Sequence, residues 1–180
     1  MEKTKEQRLA DINELIKVIG SKDRKFFSSH ADEKNPNTEV FYAYFFIKGK
    51  SLYFVDAYTR KEIVMRVKDY EHPRFFSHGG TMWGLAKDFR DYILTGNYTN
   101  HKHGYGGLYC PHWGYSEQSM QEIRSFAVSI GYIDGDYKTD TEYSKMANDG
   151  FDFKAERVEF GILPLETKSE EGKARHSSQA

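Results

Sequence analysis

"EVFYAYFFIKGKSLYFVDAYTRKEIVMRV", residues 39–67, is the stretch whose reading decides the fold. Its three runs, "EVFYAYFFIK", "SLYFVDA" and "KEIVMRV", are dominated by β-branched and aromatic residues, which suit the pleated, half-buried surface of a strand. Gly49-Lys50 and Thr59-Arg60 separate the runs at hairpin spacing, which predicts an antiparallel meander of three strands. Successive side chains on a strand point to opposite faces. The first run therefore sorts into Val40, Tyr42, Tyr44 and Phe46 on one face and Phe41, Ala43, Phe45 and Ile47 on the other. Both sets are largely apolar. Either this strand is central in its sheet or its second face meets another element.

Helical periodicity surrounds the meander. Residues 4–19 place Leu9, Ile12, Leu15, Ile16 and Ile19 on one face, with a Thr4–Gln7 capping box at the start and Gly20 as the stop. A polar connector, "SKDRKFFSSHADEKNPNT", follows, broken at Asn35-Pro36. A second helix is expected over 82–95, capped by Thr81, with Leu85, Ala86, Phe89, Tyr92 and Ile93 inward and Gly96 at its end. Ser116 caps a third, with Met120, Ile123, Ala127 and Ile130 inward and Gly131 closing it. "FKAERVEFGILP" reads as one more strand. From Glu166 onward no apolar residue larger than Ala remains, so residues 166–180 are expected to be a disordered tail. The predicted fold is α+β. It is one domain over residues 1–165, with an N-terminal helix, a three-stranded antiparallel meander with helices packed on one face, and one further C-terminal strand.

A chain of 180 residues suits a single core. The mean hydropathy of −0.75 is polar for a globular protein. With 13 Tyr and 13 Phe, that core must be built largely from rings. Net charge is −1, from 26 basic and 27 acidic residues, which excludes a strongly basic duplex binder and a polyacidic DNA mimic. One cysteine precludes an intramolecular disulfide and fits a reducing cytoplasm. The first 20 residues lack a signal-peptide core, and no run approaches a membrane span, so a cytoplasmic protein without membrane contact is expected.

Chemistry concentrates in "NYTNHKHGYGGLYCPHWGY", residues 97–115, which holds three of seven histidines and the single cysteine. His101, His103, Cys110 and His112 are all zinc-ligand types, but H-x-H-x6-C-x-H matches neither C-x2-C nor H-x3-5-H spacing. No metal is assigned and no cofactor is expected; a zinc-stabilised structural domain is kept as an alternative. Asp134-Gly135-Asp136 opens like a calcium loop, yet Lys138 stands where an oxygen ligand is needed. Cys110 lacks the surroundings of a cysteine hydrolase and reads as a small buried hydrophobe.

Acid–base chemistry on RNA fits the residue types better. Cleavage by a 2′-hydroxyl needs a base, an acid and a cation for the charged phosphorane, and histidine serves both proton transfers near neutral pH. His101, His103 and His112 are the candidate catalytic groups, with Lys102 as the cation. Tyr98 and Tyr105, interleaved with glycines, suit base stacking or a protein interface. Leu108, Tyr109 and Trp113 are expected to pack inward, leaving residues 101–105 as an exposed tip. His78, Gly79 and Gly80 open the second helix, where backbone N–H groups can meet an anion.

The segment "GGLYCPHWGYSEQSMQEIRSFAVSIGYI", residues 106–133, resembles in general style the small accessory proteins of phages and plasmids, among them Cas9-directed anti-CRISPR proteins, some of which interfere with guide RNA. The likeness covers about the middle third of the chain and carries over no residue role. It implies antagonism of a nucleic-acid-based host defence, with a host nucleoprotein or its RNA as partner and a small-molecule ligand not expected. If the protein is an enzyme, a metal-independent ribonuclease is the expectation. A non-enzymatic inhibitor that binds protein through its aromatic loop and hairpins is the competing reading.

Overall fold

The computed structural model describes residues 1–22, 26–32, 34–35, 37–66, 73–97, 108 and 115–133. The expected C-terminal strand, the tail and the domain limit at 165 lie outside the described residues.

The first strand-forming run does not stay straight. It divides at Ala43 into β2 (Val40–Tyr42) and β3 (Tyr44–Lys48). β2 pairs antiparallel with β1 (Ser28–His30), with Ser29 opposite Phe41. β3 pairs with β4 (Ser51–Val55), and β4 with β5 (Glu62–Val64), all antiparallel, in the order β3-β4-β5. The meander is thus as predicted from Tyr44 onward. The Ala43 amide donates to the Phe27 carbonyl at 2.8 Å, so the chain stays bonded to the first sheet before it enters the second. β1 was not expected. It lies in the polar connector, where "SSH" has no strand signature and is held by its partner.

β3 is an edge strand, and its open edge is covered from α1 (Lys5–Gly20). The Asn13 carboxamide accepts from the Phe45 amide at 2.7 Å and donates to the Phe45 carbonyl at 2.9 Å. One side chain thereby supplies both bonds a neighbouring strand would make, which removes a pairing template.

The Thr4–Gln7 capping box of α1 is present with both bonds made. Gly20, expected as a stop just past the helix, is instead its last residue and is buried. A Cβ there would stand 3.0 Å from Tyr42 Cδ1 and 3.2 Å from Ser28 Cβ, so glycine is needed where the helix end touches the first sheet. The Ser28 hydroxyl then donates to the Gly20 carbonyl at 2.7 Å, and the Tyr115 hydroxyl to that of Ile19 at 3.2 Å. The α1 carbonyls left without helical partners are satisfied this way.

α2 spans Gly79–Thr95 and closes on Gly96, left-handed at φ 79°. It starts earlier than the sequence suggests: Thr81 lies inside its first turn, and His78 occupies the cap position without a side-chain capping bond. The predicted inward stripe is buried in full, but Trp83, Lys87, Asp88 and Arg90 are buried too, so the helix is enclosed on more than one face. α3 (Glu117–Ser129) is capped by the Ser116 hydroxyl on the Ser119 amide, as predicted, and Gly131 follows it at φ 75°.

α1 packs against β3, α2 and α3. The core between sheet and helices is a chain of rings in contact. Phe45 and Phe76 flank Phe54 at 5.1 and 5.7 Å, Phe54 faces Phe27 at 6.3 Å, and Phe27 meets Phe89 at 6.1 Å. Phe89 then touches Tyr132 at 5.3 Å, which meets Tyr92 at 5.1 Å. The aromatic-rich composition is spent here, at edge-to-face and tilted geometries that ring quadrupoles favour. Leu108 is fully enclosed, in agreement with its expected inward packing, and its carbonyl accepts from the Arg124 guanidinium. Among the described residues no helix is long and apolar enough to cross a membrane.

Candidate nucleic-acid interface

Alternation on β3 and β4 gives the three-stranded sheet two unlike faces. Phe45, Leu52, Phe54 and Ile63 point into the core. The other face carries three rows set by the strand register: Tyr44, Val55 and Glu62; Phe46, Tyr53 and Val64; Lys48 and Ser51. Tyr44 is 46% exposed, while Phe46 and Tyr53 are partly covered by each other. The Phe46 and Tyr53 rings stack at 5.2 Å and 18°, and Tyr44 lies 6.0 Å from Phe46. This is a contiguous ladder of rings on a rigid sheet, open to solvent at Tyr44. Lys48 and, in the turn, Lys50 stand at one end of it; both are exposed and neither has an ion-pair partner among the described residues.

A second cluster forms where the β4–β5 turn meets the start of α2. Asp56 is fully buried, and its carboxylate accepts from the amides of Tyr58 (2.8 Å), Thr59 (3.3 Å) and Ser77 (2.8 Å). Three backbone donors on one buried carboxylate lock the turn to the helix entrance. In the same turn Arg60 adopts a left-handed φ of 59°, its guanidinium lies 3.6 Å from the Phe41 ring centroid, and it donates to the Ser29 hydroxyl. His78 is exposed. Its ring packs 4.8 Å from Phe26 and 5.1 Å from Tyr58, with Nδ1 3.1 Å from the Ser77 hydroxyl.

Of the residues singled out from sequence, His78, Gly79 and Gly80 are therefore placed together at the α2 entrance. The Gly79 amide donates to the Phe76 carbonyl at 3.1 Å, which closes the turn into the helix. His101, Lys102, His103 and His112, with Tyr98 and Tyr105, lie outside the described residues, as do Cys110, Tyr109 and Trp113. Sequence reasoning did not assign the outer sheet face, although the signal was there: Tyr44 and Tyr53 carry hydroxyls suited to a wet surface, and their neighbours Phe45 and Phe54 do not. Asp56 gave no sequence signal beyond its place next to a strand end.

A cavity of about 260 Å³ lies between the ends of α2 and α3, lined by Lys3, Arg8, Tyr92 and Gly131 among others. Two of the cations that line it cap helix ends. The Arg8 guanidinium donates to the Ile93 carbonyl at 3.1 Å and Lys3 to that of Ile130, so both cations answer the carbonyl ends of helices.

The fold is a small α+β domain whose three-stranded sheet turns one aromatic face inward and one outward. The chain belongs to the YoqU family, whose family model matches residues 2–158. It is similar to the SPbeta prophage-derived uncharacterized protein YoqU of Bacillus subtilis (strain 168), at 38% identity over 128 residues, which cover 71% of this chain and 84% of the relative. No solved structure matches the chain at a significant level.

Proposed function

We propose that this protein is a mobile-element accessory protein that antagonises a nucleic-acid-based host defence, anti-CRISPR-like, by engaging the defence nucleoprotein or its guide RNA. The observation that carries this reading is the ring ladder of Tyr44, Phe46 and Tyr53 on the outer sheet face, because rings exposed on a rigid scaffold serve recognition more readily than they serve stability. The prophage origin of the relative from Bacillus subtilis supports the mobile-element setting. The histidine-rich loop adds a chemical part to this reading: His101, His103 and His112 with Lys102 have the residue types for acid–base cleavage of RNA without metal.

Plasmid interference by an RNA-guided defence tests the function. Expression of the protein is expected to relieve interference, and the Phe46→Ala/Tyr53→Ala double variant, checked for folding by circular dichroism, is expected to restore it. Full interference in the presence of the folded wild-type protein, across the RNA-guided systems of its host, would overturn the reading. The catalytic part has its own test. RNA incubated with protein in EDTA shortens if the histidines cleave it, and His101→Ala, His103→Ala and His112→Ala each abolish the product. RNA left intact under these conditions removes the ribonuclease and leaves the binding function.

A further inference from the structure

We infer that the outer face of the β3-β4-β5 sheet is a stacking platform for single-stranded nucleic acid, with Lys48 and Lys50 on its phosphates; this rests on the function proposed above and names what that face holds.

Geometry comes first. Adjacent strands stand about 4.8 Å apart, and residues two apart on a strand about 6.6 Å. Tyr44, beside the buried Val55, and the Phe46–Tyr53 pair therefore mark two successive ring positions, with the Tyr44 and Phe46 centroids 6.0 Å apart. That is a step an unstacked single strand spans between neighbouring bases. A duplex, whose bases are already stacked on each other, presents no free faces to such a platform.

Charge selects the same ligand. The register runs from Glu62 in the first row, through the rings, to Lys48 in the third, with Lys50 in the turn just beyond. Acid and base sit at opposite ends of the face. Both lysines are exposed and make no ion pair among the described residues, unlike Lys3, Lys17 and Lys22, which pair with Asp11, Glu14 and Glu122. A ligand with flat apolar faces along one part and negative charge along another matches this arrangement. Single-stranded nucleic acid has both features, and base–ring stacking tolerates any sequence because every base has a π-face.

Fluorescence anisotropy with labelled ten-nucleotide oligo-uridine and oligo-thymidine, and with a ten-base-pair RNA duplex, tests the inference on the full-length protein. Both single strands are expected to bind, and the duplex more weakly by tenfold or more. Tyr53→Ala and Tyr44→Ala should each weaken the single strand by tenfold or more, the effect of losing one stacked base. The Lys48→Gln/Lys50→Gln double variant should reduce the slope of log K against log salt by about 1.4, since each phosphate contact on a single strand contributes about 0.7. Glu62→Gln should tighten binding. These are surface positions, so folding is retained and checked by the thermal transition. No single-strand binding, duplex binding of equal strength, or an unchanged salt slope in the lysine variant overturns the inference. If the sheet variants restore plasmid interference while oligonucleotides fail to bind, the face holds a protein and the functional reading stands without this one. If oligonucleotides bind through the face but interference is never relieved, the platform stands and the defence role falls.

Discussion

The two faces of the β3-β4-β5 sheet are made from almost the same residues and have opposite fates. Phe45 and Phe54 are sealed; Phe46 and Tyr53, next to them in the chain, remain in contact with water. Both pairs are cross-strand aromatic neighbours, 5.1 Å apart inside and 5.2 Å outside. What separates them is what lies over each face. The inner rings meet Phe27, Phe76 and the apolar stripe of α1, whereas the ring contacts of the outer rings among the described residues are with one another. Hydrophobic content alone therefore does not say which face is core; the location of the helices does. An aromatic face kept open on a finished sheet is stabilising only through its cross-strand contacts, so its large ring area is available to a partner.

The sharpest way to break this contrast is to truncate the centre of the inner face. Phe54 is fully buried and touches three other rings. Phe54→Ala should cost about 3–5 kcal/mol through lost transfer energy and the cavity left behind. Chemical denaturation should show this as a large fall in midpoint at unchanged slope. A cost below about 1 kcal/mol would mean that the two faces are energetically alike.

A smaller effect is expected at the covered edge of the same sheet. Asn13→Ala removes both bonds to the Phe45 backbone and leaves an amide and a carbonyl without their partner. The loss should be about 1–3 kcal/mol. It should also uncover a strand edge, so size-exclusion chromatography at increasing concentration is expected to show more self-association than the wild type does. A variant as stable as wild type, with the same elution at every concentration, would mean that α1 protects the edge by bulk alone.

These two residues mark how far the sequence could be read. The meander, the three helices with their apolar stripes, the Thr4–Gln7 box and the Ser116 cap are local patterns, and local patterns survive in a string of letters. The break at Ala43, strand β1 and the edge bonds of Asn13 depend on segments 10 to 32 residues apart coming together, and no periodicity encodes that. Gly20 was legible as a helix end, but what requires glycine there is the contact with Tyr42, which the string of letters does not show. Of the site, the α2 entrance at His78 was marked by its glycines. The outer ring ladder was visible as apolar alternation, but assigning it to solvent needed the helices in place.

Thr4 calibrates the local contribution against the packed one. Thr4→Ala removes the bond to the Gln7 amide and should cost about 1 kcal/mol. The Glu6 carboxyl, in the first turn of the helix, is held below the usual carboxylate range by its own backbone amide first and by the Thr4 hydroxyl second. Because its folded pKa is depressed, this contribution is present above the ordinary Glu value near 4.3 and is lost as pH falls through the lower folded value. The Thr4→Ala penalty measured at pH 7 should therefore shrink on acidification below about pH 4, in contrast to the Phe54→Ala penalty, which involves no titrating group. Equal pH dependence of the two would contradict the assignment of Glu6.

The smallest stability change belongs to the outer face, and it decides what that face is for. Tyr53→Ala removes a stack with Phe46 worth about 0.2–1 kcal/mol, the ordinary value of a cross-strand pair. The same ring is expected to contribute tenfold or more to nucleic-acid affinity. A residue that matters little to folding and much to binding is one that the fold displays, and a residue with the reverse profile is one that the fold uses. If Tyr53→Ala destabilised the protein as much as Phe54→Ala, the outer rings would belong to a second core, and recognition would have to be sought at the α2 entrance instead. A thermal transition within about 3 °C of wild type, the shift that 1 kcal/mol gives a chain of this size, keeps the outer face as the binding surface.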